Sequence, residues 1–352
     1  MPSSVSRPLV MTLGCPGGIG PEVSVIAAAR YTGRRPLVLI GDVQSVQHAV
    51  KVCNLDPATF VEVRTLTDVV DPGKIGIFSP APPLTAEALV PGRWTPEGGR
   101  AQLAWVDAAI AAVAGDDAAA MITGPVCKEA VVAGGVPEFR GHTEHLAKAL
   151  GAEEVVMAFW SPRLLTSLVT THLPLAAVPA AVTEESVQSA IFWTARLLAT
   201  LGGTKVPIAV CGLNPHAGEH GLIGDDEIRI EAGIVRAKER LEACGDAVAA
   251  AIPIVGPIGA ETVFRVGAEG GFSAAIAMYH DQATIPMKLL GFGDAVNISL
   301  GLPKIRTSVD HGTGYDRAGK GIADARGMEA ALALAARLAD AFAENSAPRT
   351  DA

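Results

Sequence analysis

Charged side chains are scarce, 18% of a 352-residue chain, and aromatic ones scarcer at 5%. No basic run interrupts a net charge of −9, which argues against a nucleic acid or an anionic membrane as partner. Cysteine is sparse and scattered: positions 15, 53, 127, 211 and 244 form no CxxC pair and no zinc-ribbon spacing. That usage is expected of reduced thiols in a cytoplasmic protein. The uncharged run 247–260 is too short to span a bilayer and carries Pro253 and Pro257. The opening MPSSVSRPLV lacks the apolar centre of a signal peptide, and the tail 344–352 is expected to fray. No GxGxxG stands between a strand and a helix, and there is no Walker A, which disfavours a Rossmann cofactor site and a P-loop.

What the chain does have is aliphatic material for cores, with hydrophobic residues at 49%, and 38 glycines and 24 prolines for turns. Short apolar runs alternate with helical segments. Strands are expected at 9–13, 37–40, 118–123, 155–160, 164–171, 208–211 and 274–279. Helices are expected from Pro21 through Ala29, then at 43–52, 100–113, 183–200, 226–243 and 328–343, with Thr183 as an N-cap. Buried strands between helices predict an α/β fold with mainly parallel sheets. The expected layout is two domains, 1–130 plus 300–352, and an inserted 131–299.

Three histidines fall where such sheets bind ligands. His172, His216 and His280 each follow the C-terminal end of an expected strand. Three imidazoles on one rim would make a divalent-metal site with open positions, Asp281 orienting or joining them. The alternative is three unrelated loop histidines. The turn Phe139-Arg140-Gly141-His142-Thr143-Glu144 leads into a helix. It suits either a phosphate or an ordinary N-cap at Thr143. From His280 to Asp324 the chain gathers Lys288, Asn297, Arg306, Asp310, His311 and Lys320 among glycines and apolar runs. Lys288 and Arg306 are cations suited to an anionic substrate.

These segments resemble the 4-hydroxythreonine-4-phosphate dehydrogenase family of vitamin B6 biosynthesis, including its paralogues in sugar-acid catabolism. The resemblance rests on 14–22, 122–128, Gly141-His142-Thr143-Glu144, Thr171-His172-Leu173-Pro174, 212–218, 277–282 and the run 297–312, in that order. It implies two α/β/α domains around a cleft, as in isocitrate and isopropylmalate dehydrogenases, with a non-Rossmann cofactor site. It implies a homodimer with a shared active site. It also implies one divalent metal per subunit (zinc, magnesium, cobalt or manganese) on His172, His216 and His280, with His280 coming from the partner chain. The implied substrate residues are His142, Thr143, Lys288, Asn297 and Arg306. Lys288 and Asp281 are the expected catalytic residues. The segment His311-Gly312-Thr313 through Asp324 resembles the adenosine-side loop that binds NAD or NADP in isopropylmalate dehydrogenases, although Asp324 stands where those enzymes usually carry Asn.

Cys15, Gly17, Cys127, Arg140 and Ala283 depart from the family pattern but remove no metal ligand and no substrate cation. The resemblance thus implies oxidation and decarboxylation of 4-phosphohydroxy-L-threonine, a phosphorylated four-carbon hydroxy acid. Alternatives are a catabolic paralogue acting on 4-phospho-threonate or 4-phospho-erythronate, a phosphate acyltransferase-like enzyme without NAD, and a non-catalytic binding protein.

Overall fold

The computed structural model describes residues 6–68, 70–291 and 293–346. Its strands, in chain order, are β1 (Leu9–Thr12), β2 (Leu37–Ile40), β3 (Phe60–Glu62), β4 (Ile75–Phe78), β5 (Ala120–Thr123) and β6 (Val156–Trp160). They continue with β7 (Leu165–Leu168), β8 (Ile208–Cys211), β9 (Ile254–Ile258), β10 (Ala274–Ala277), β11 (Val296–Leu300) and β12 (Arg306–Val309). The chain forms two compact units, one of residues 1–153 with 302–352 and one of residues 154–301. The fold is α/β, as the alternation of apolar strands and helices implies.

The first unit carries a parallel sheet in the order β3-β4-β2-β1-β5-β12. Its central strands are buried along their whole length, which is why they read as unbroken apolar runs. The helix Pro96–Ala114 packs on β1, β2 and β5, and the helix Arg326–Ser346 packs on β5 and β12. Thr95 caps the former through the Gly98 N–H, and Pro96 occupies its first turn. Gly99 lets the helix Lys128–Ala133 approach closely, since a Cβ there would stand 1.8 Å from the Ala130 carbonyl oxygen. Segment 131–153 belongs with this unit, so the boundary falls at 153/154 and not at 130/131. The reason is packing: the helices Lys128–Ala133 and His142–Leu150 both lie on Pro96–Ala114.

The second unit carries β11-β6-β7-β10-β8-β9. β7, β10, β8 and β9 run parallel, while β6 is antiparallel to both β7 and β11. The helix Glu184–Thr200 starts at a capping box in which Thr183 and Ser186 exchange hydrogen bonds. It packs on β6, β7, β10 and β11 and against the helix Glu227–Ala243. β7 is shorter than the 164–171 expected, although Val169 and Thr170 continue its ladder by bonding the Ala277 and Met278 carbonyls. His280 does not end a strand. It opens the helix His280–Leu290, which the sequence hides because Pro286 lies inside it. Among the described residues no helix is long and apolar enough to cross a membrane.

Candidate active site

In the second unit, β7, β10 and β8 are adjacent and parallel, so the segments leaving their C-terminal ends emerge on one edge. His172, His280 and His216 are on those three segments. The rings of His172 and His280 lie 5.5 Å apart, centre to centre. Two imidazoles that share one ion at about 2.1 Å per nitrogen hold their centres roughly 5 Å apart, close to this separation. His280 Nδ1 is 2.8 Å from Asp281 Oδ1, so Nε2 is the nitrogen that could meet an ion, and Asp281 itself is exposed. His216 is exposed in the turn Pro215–Gly221. Among the described residues no three His, Cys, Asp or Glu side chains of this chain close on one ion.

That turn has unusual backbone. His216, Ala217, Glu219 and His220 have φ of 53°, 53°, 43° and 56°, and Gly218 has 75°. Left-handed geometry costs an L-residue about 1–2 kcal/mol. The buried Glu227 carboxylate holds the turn's entry, accepting from the Leu213 and Asn214 backbone N–H and from Asn214 Nδ2, each at 2.9 Å. Gln282 accepts from Met278 N at 2.6 Å and donates to Gly212 O at 2.9 Å. Of the other residues named in this unit, Lys288 is exposed in the last turn of His280–Leu290, and Asn297 is half-buried on β11.

In the first unit, Arg306 opens β12 with only 4% of its surface exposed. Its Nε and Nη2 donate to Thr123 Oγ1 at 3.2 and 2.8 Å. Burial pushes its pKa down to about 10, against a raising pull from Glu144. His142 is beside it at the start of the helix His142–Leu150. Burial, then Arg306, His145 and Lys128, hold the imidazole well below its ordinary 6.5, so it is neutral at pH 7. Its Nε2 is buried without a hydrogen-bond partner among the described residues. The N-cap position is Gly141, not Thr143, which lies in the first turn and caps nothing. Lys128 reaches the same place, its Nζ 3.5 Å from where a Gly141 Cβ would stand. The His145 ring bonds Asp107 at 2.6 Å and fastens this helix to Pro96–Ala114. A buried guanidinium, a neutral imidazole with an orphan nitrogen, an ammonium and the N–H groups of a first turn have together the chemistry to receive a compact anion.

Also in the first unit, Thr313 O accepts from Ile19 N at 2.8 Å, and buried Glu22 accepts from Gly319 N at 2.6 Å and Gly321 N at 3.0 Å. The segment 312–324 is thus anchored, while the Cβ direction of Gly312 is open space where a ligand can approach. His311 Nδ1 bonds the Gly312 carbonyl, and both Asp324 carboxylate oxygens bond Arg326. Cys15 Sγ lies 3.3 Å from the Tyr315 hydroxyl and packs with Cys127, so the departures at 15 and 127 form one cluster. Burial pushes the Cys15 thiol up, leaving it protonated at neutral pH.

Residues 33–335 match the family model of the pyridoxal phosphate biosynthetic protein PdxA, which is most of the chain. The chain belongs to the PdxA family. It is 42% identical to the 4-hydroxythreonine-4-phosphate dehydrogenase of Desulfosudis oleivorans, covering 94% of this chain and 95% of the relative. It is 39% identical to the D-threonate 4-phosphate dehydrogenase of Cupriavidus necator, covering 94% and 96%. The crystal structure of 4-hydroxythreonine-4-phosphate dehydrogenase from Klebsiella pneumoniae superposes with a TM-score of 0.80 at 33% identity, covering 95% of this chain and all of that one. The chain is therefore an oxidoreductase, and its α/β fold is the family's. Sequence reasoning missed Thr123, Glu22, Glu227 and Gln282. Each acts by holding a backbone segment or another side chain, and none carries a compositional signal.

Proposed function

We propose that this PdxA-family enzyme oxidises 4-phosphohydroxy-L-threonine with NAD or NADP and releases CO2. The product is 3-amino-2-oxopropyl phosphate, a step toward pyridoxal 5′-phosphate. The observation that carries the reading is the anion receptor built from Arg306, His142, Lys128 and the first turn at Thr143. It suits a phosphate far better than a neutral substrate. The nitrogen donors on the β7, β10 and β8 edge fit a borderline divalent ion such as zinc or cobalt, with substrate oxygens making magnesium or manganese serviceable. When bound, such an ion would polarise the substrate's hydroxyl and ketone oxygens, and the nicotinamide would take the hydride.

The chain's own side chains do the rest. Arg306 and His142 hold the phosphate, and the same anchoring fixes the reacting carbon, so it lowers the barrier as well as KM. Asp281 fixes the His280 tautomer. Lys288 and Asn297 would also bind substrate, and Lys288 would accept or return a proton. Segment 312–324 would receive the cofactor at the open face of Gly312, with His311, Thr313 and Asp324 as its contacts. The proposed assembly is a homodimer in which a partner chain completes the metal site.

A second reading has its own support. The D-threonate 4-phosphate dehydrogenase relative is nearly as similar as the first, and the two substrates differ by an amino or a hydroxyl group. Purified enzyme given NAD and 4-phosphohydroxy-L-threonine, 4-phospho-D-threonate or 4-phospho-D-erythronate decides between them. The proposal expects the highest kcat/KM on the amino acid. A preference for a threonate or erythronate would transfer the assignment to the catabolic branch.

A further inference from the structure

We infer that Glu227 and Gln282 are positioning residues for the backbone segments that carry His216 and His280, an inference that rests on reading both histidines as metal ligands, each serving a site shared with a partner chain. The turn Pro215–Gly221 places four non-glycine residues in left-handed backbone. Such a run persists only where its surroundings over-determine it. The surroundings here are two side chains.

Glu227, 6% exposed, bonds the strand-to-turn junction through both oxygens. Its Oε1 takes two backbone N–H groups, and its Oε2 takes the Asn214 amide. It also sets the turn's closest approach, because a Cβ on Gly218 would stand 2.6 Å from Oε2. A carboxylate is required. In Glu227→Gln an amide NH2 would meet Asn214 Nδ2, donor against donor. Flipping Asn214 does not relieve this, since the same Nδ2 also donates to Asp226 Oδ2 at 3.0 Å.

Gln282 then joins this turn to its neighbour. One amide accepts from Met278 N, two residues before His280, and donates to Gly212 O, four residues before His216. β8 and β10 are adjacent, so a single side chain fixes the distance between the two histidine-bearing segments at their roots. The prediction is a loss of metal affinity without loss of the fold, since both side chains bond only at the roots of the histidine-bearing segments.

The test uses the full-length enzyme, stripped of metal and titrated with cobalt(II), as parent, Glu227→Gln, Asn214→Ala, Gln282→Met and His216→Ala. Readouts are cobalt affinity from the visible absorption band, amide hydrogen exchange of residues 212–222 in the metal-free protein, and the thermal transition. Expected for Glu227→Gln and Gln282→Met is a ~10–100-fold weaker cobalt Kd. Exchange across 212–222 should be faster by at least about tenfold in Glu227→Gln, with a cooperative thermal transition retained. Asn214→Ala, which removes only the side-chain bond, should fall between parent and Glu227→Gln. Parent-like exchange and cobalt affinity in Glu227→Gln, within about twofold, would overturn the inference. Parent-like cobalt affinity in His216→Ala would instead overturn the ligand reading, and hydrogen exchange would still decide whether Glu227 anchors the turn.

Discussion

Arg306 is buried and bonded to Thr123, and burial displaces its pKa downward to about 10. Lysine in its place keeps the charge and loses the planar fork. Arg306→Lys should therefore lower kcat/KM on the phosphorylated substrate by about 100-fold, equivalent to ~2.7 kcal/mol of transition-state binding. Steady-state kinetics on phosphorylated and dephosphorylated substrate would show the loss confined to the former. His142 makes a second residue-scale prediction. Its folded-state pKa lies below the unfolded value of 6.5, so the unfolded chain takes up a proton first as pH falls. Its contribution is fully present above pH 6.5 and is lost below it, with a slope of at most about 1.4 kcal/mol per pH unit. Urea unfolding between pH 7.5 and 5 should show this slope, and His142→Gln should flatten it. Both side chains were legible in the sequence as types beside glycines. Their burial was not, because it depends on β12 pairing with β5 from 183 residues away.

At the scale of elements, β1, β2, β5, β6, β7, β8 and β10 were legible as short, largely apolar runs, whereas β3, β4, β9, β11 and β12, interrupted by glycine, proline or polar residues or very short, were not expected. Helices with caps were legible too: Thr183 and Pro21 fall where expected. Helix His280–Leu290 was not, since Pro286 mimics a break, and the left-handed turn at His216 was not, since it needs Glu227 from beyond the turn to hold it. Glu22 is another such tie, fastening the proposed cofactor segment to the helix Gly20–Ala29 through Gly319 and Gly321. Glu22→Gln leaves one of these N–H groups facing an amide NH2, a cost of about 1–3 kcal/mol. It should raise KM for the nicotinamide cofactor by about five- to tenfold, measured at saturating substrate, with KM for the phosphorylated acid little changed. An unchanged cofactor KM would remove segment 312–324 from the cofactor site.

The whole molecule raises the question of where the metal site is completed. Within one chain His172 and His280 pair, and no triad closes among the described residues. A shared site predicts complementation: His216→Ala and His280→Ala homodimers are each inactive, and mixed subunits regain roughly a quarter of parental activity, from one intact site in the half of the dimers that are hybrid. No recovery after verified subunit exchange would confine the site to one chain. Substrate identity was legible only as far as a phosphorylated acid, since the amino-or-hydroxyl choice turns on a single polar contact.

The central claim is that the proposed anion site at Arg306 and His142 holds a substrate phosphate during dehydrogenation. It is tested most directly by the rate of NADH formation with 4-phosphohydroxy-L-threonine and with its dephosphorylated counterpart under identical conditions. The account predicts a kcat/KM ratio of at least about 100 in favour of the phosphorylated acid. Equal turnover of the two, or NADH formation from neither, would contradict it.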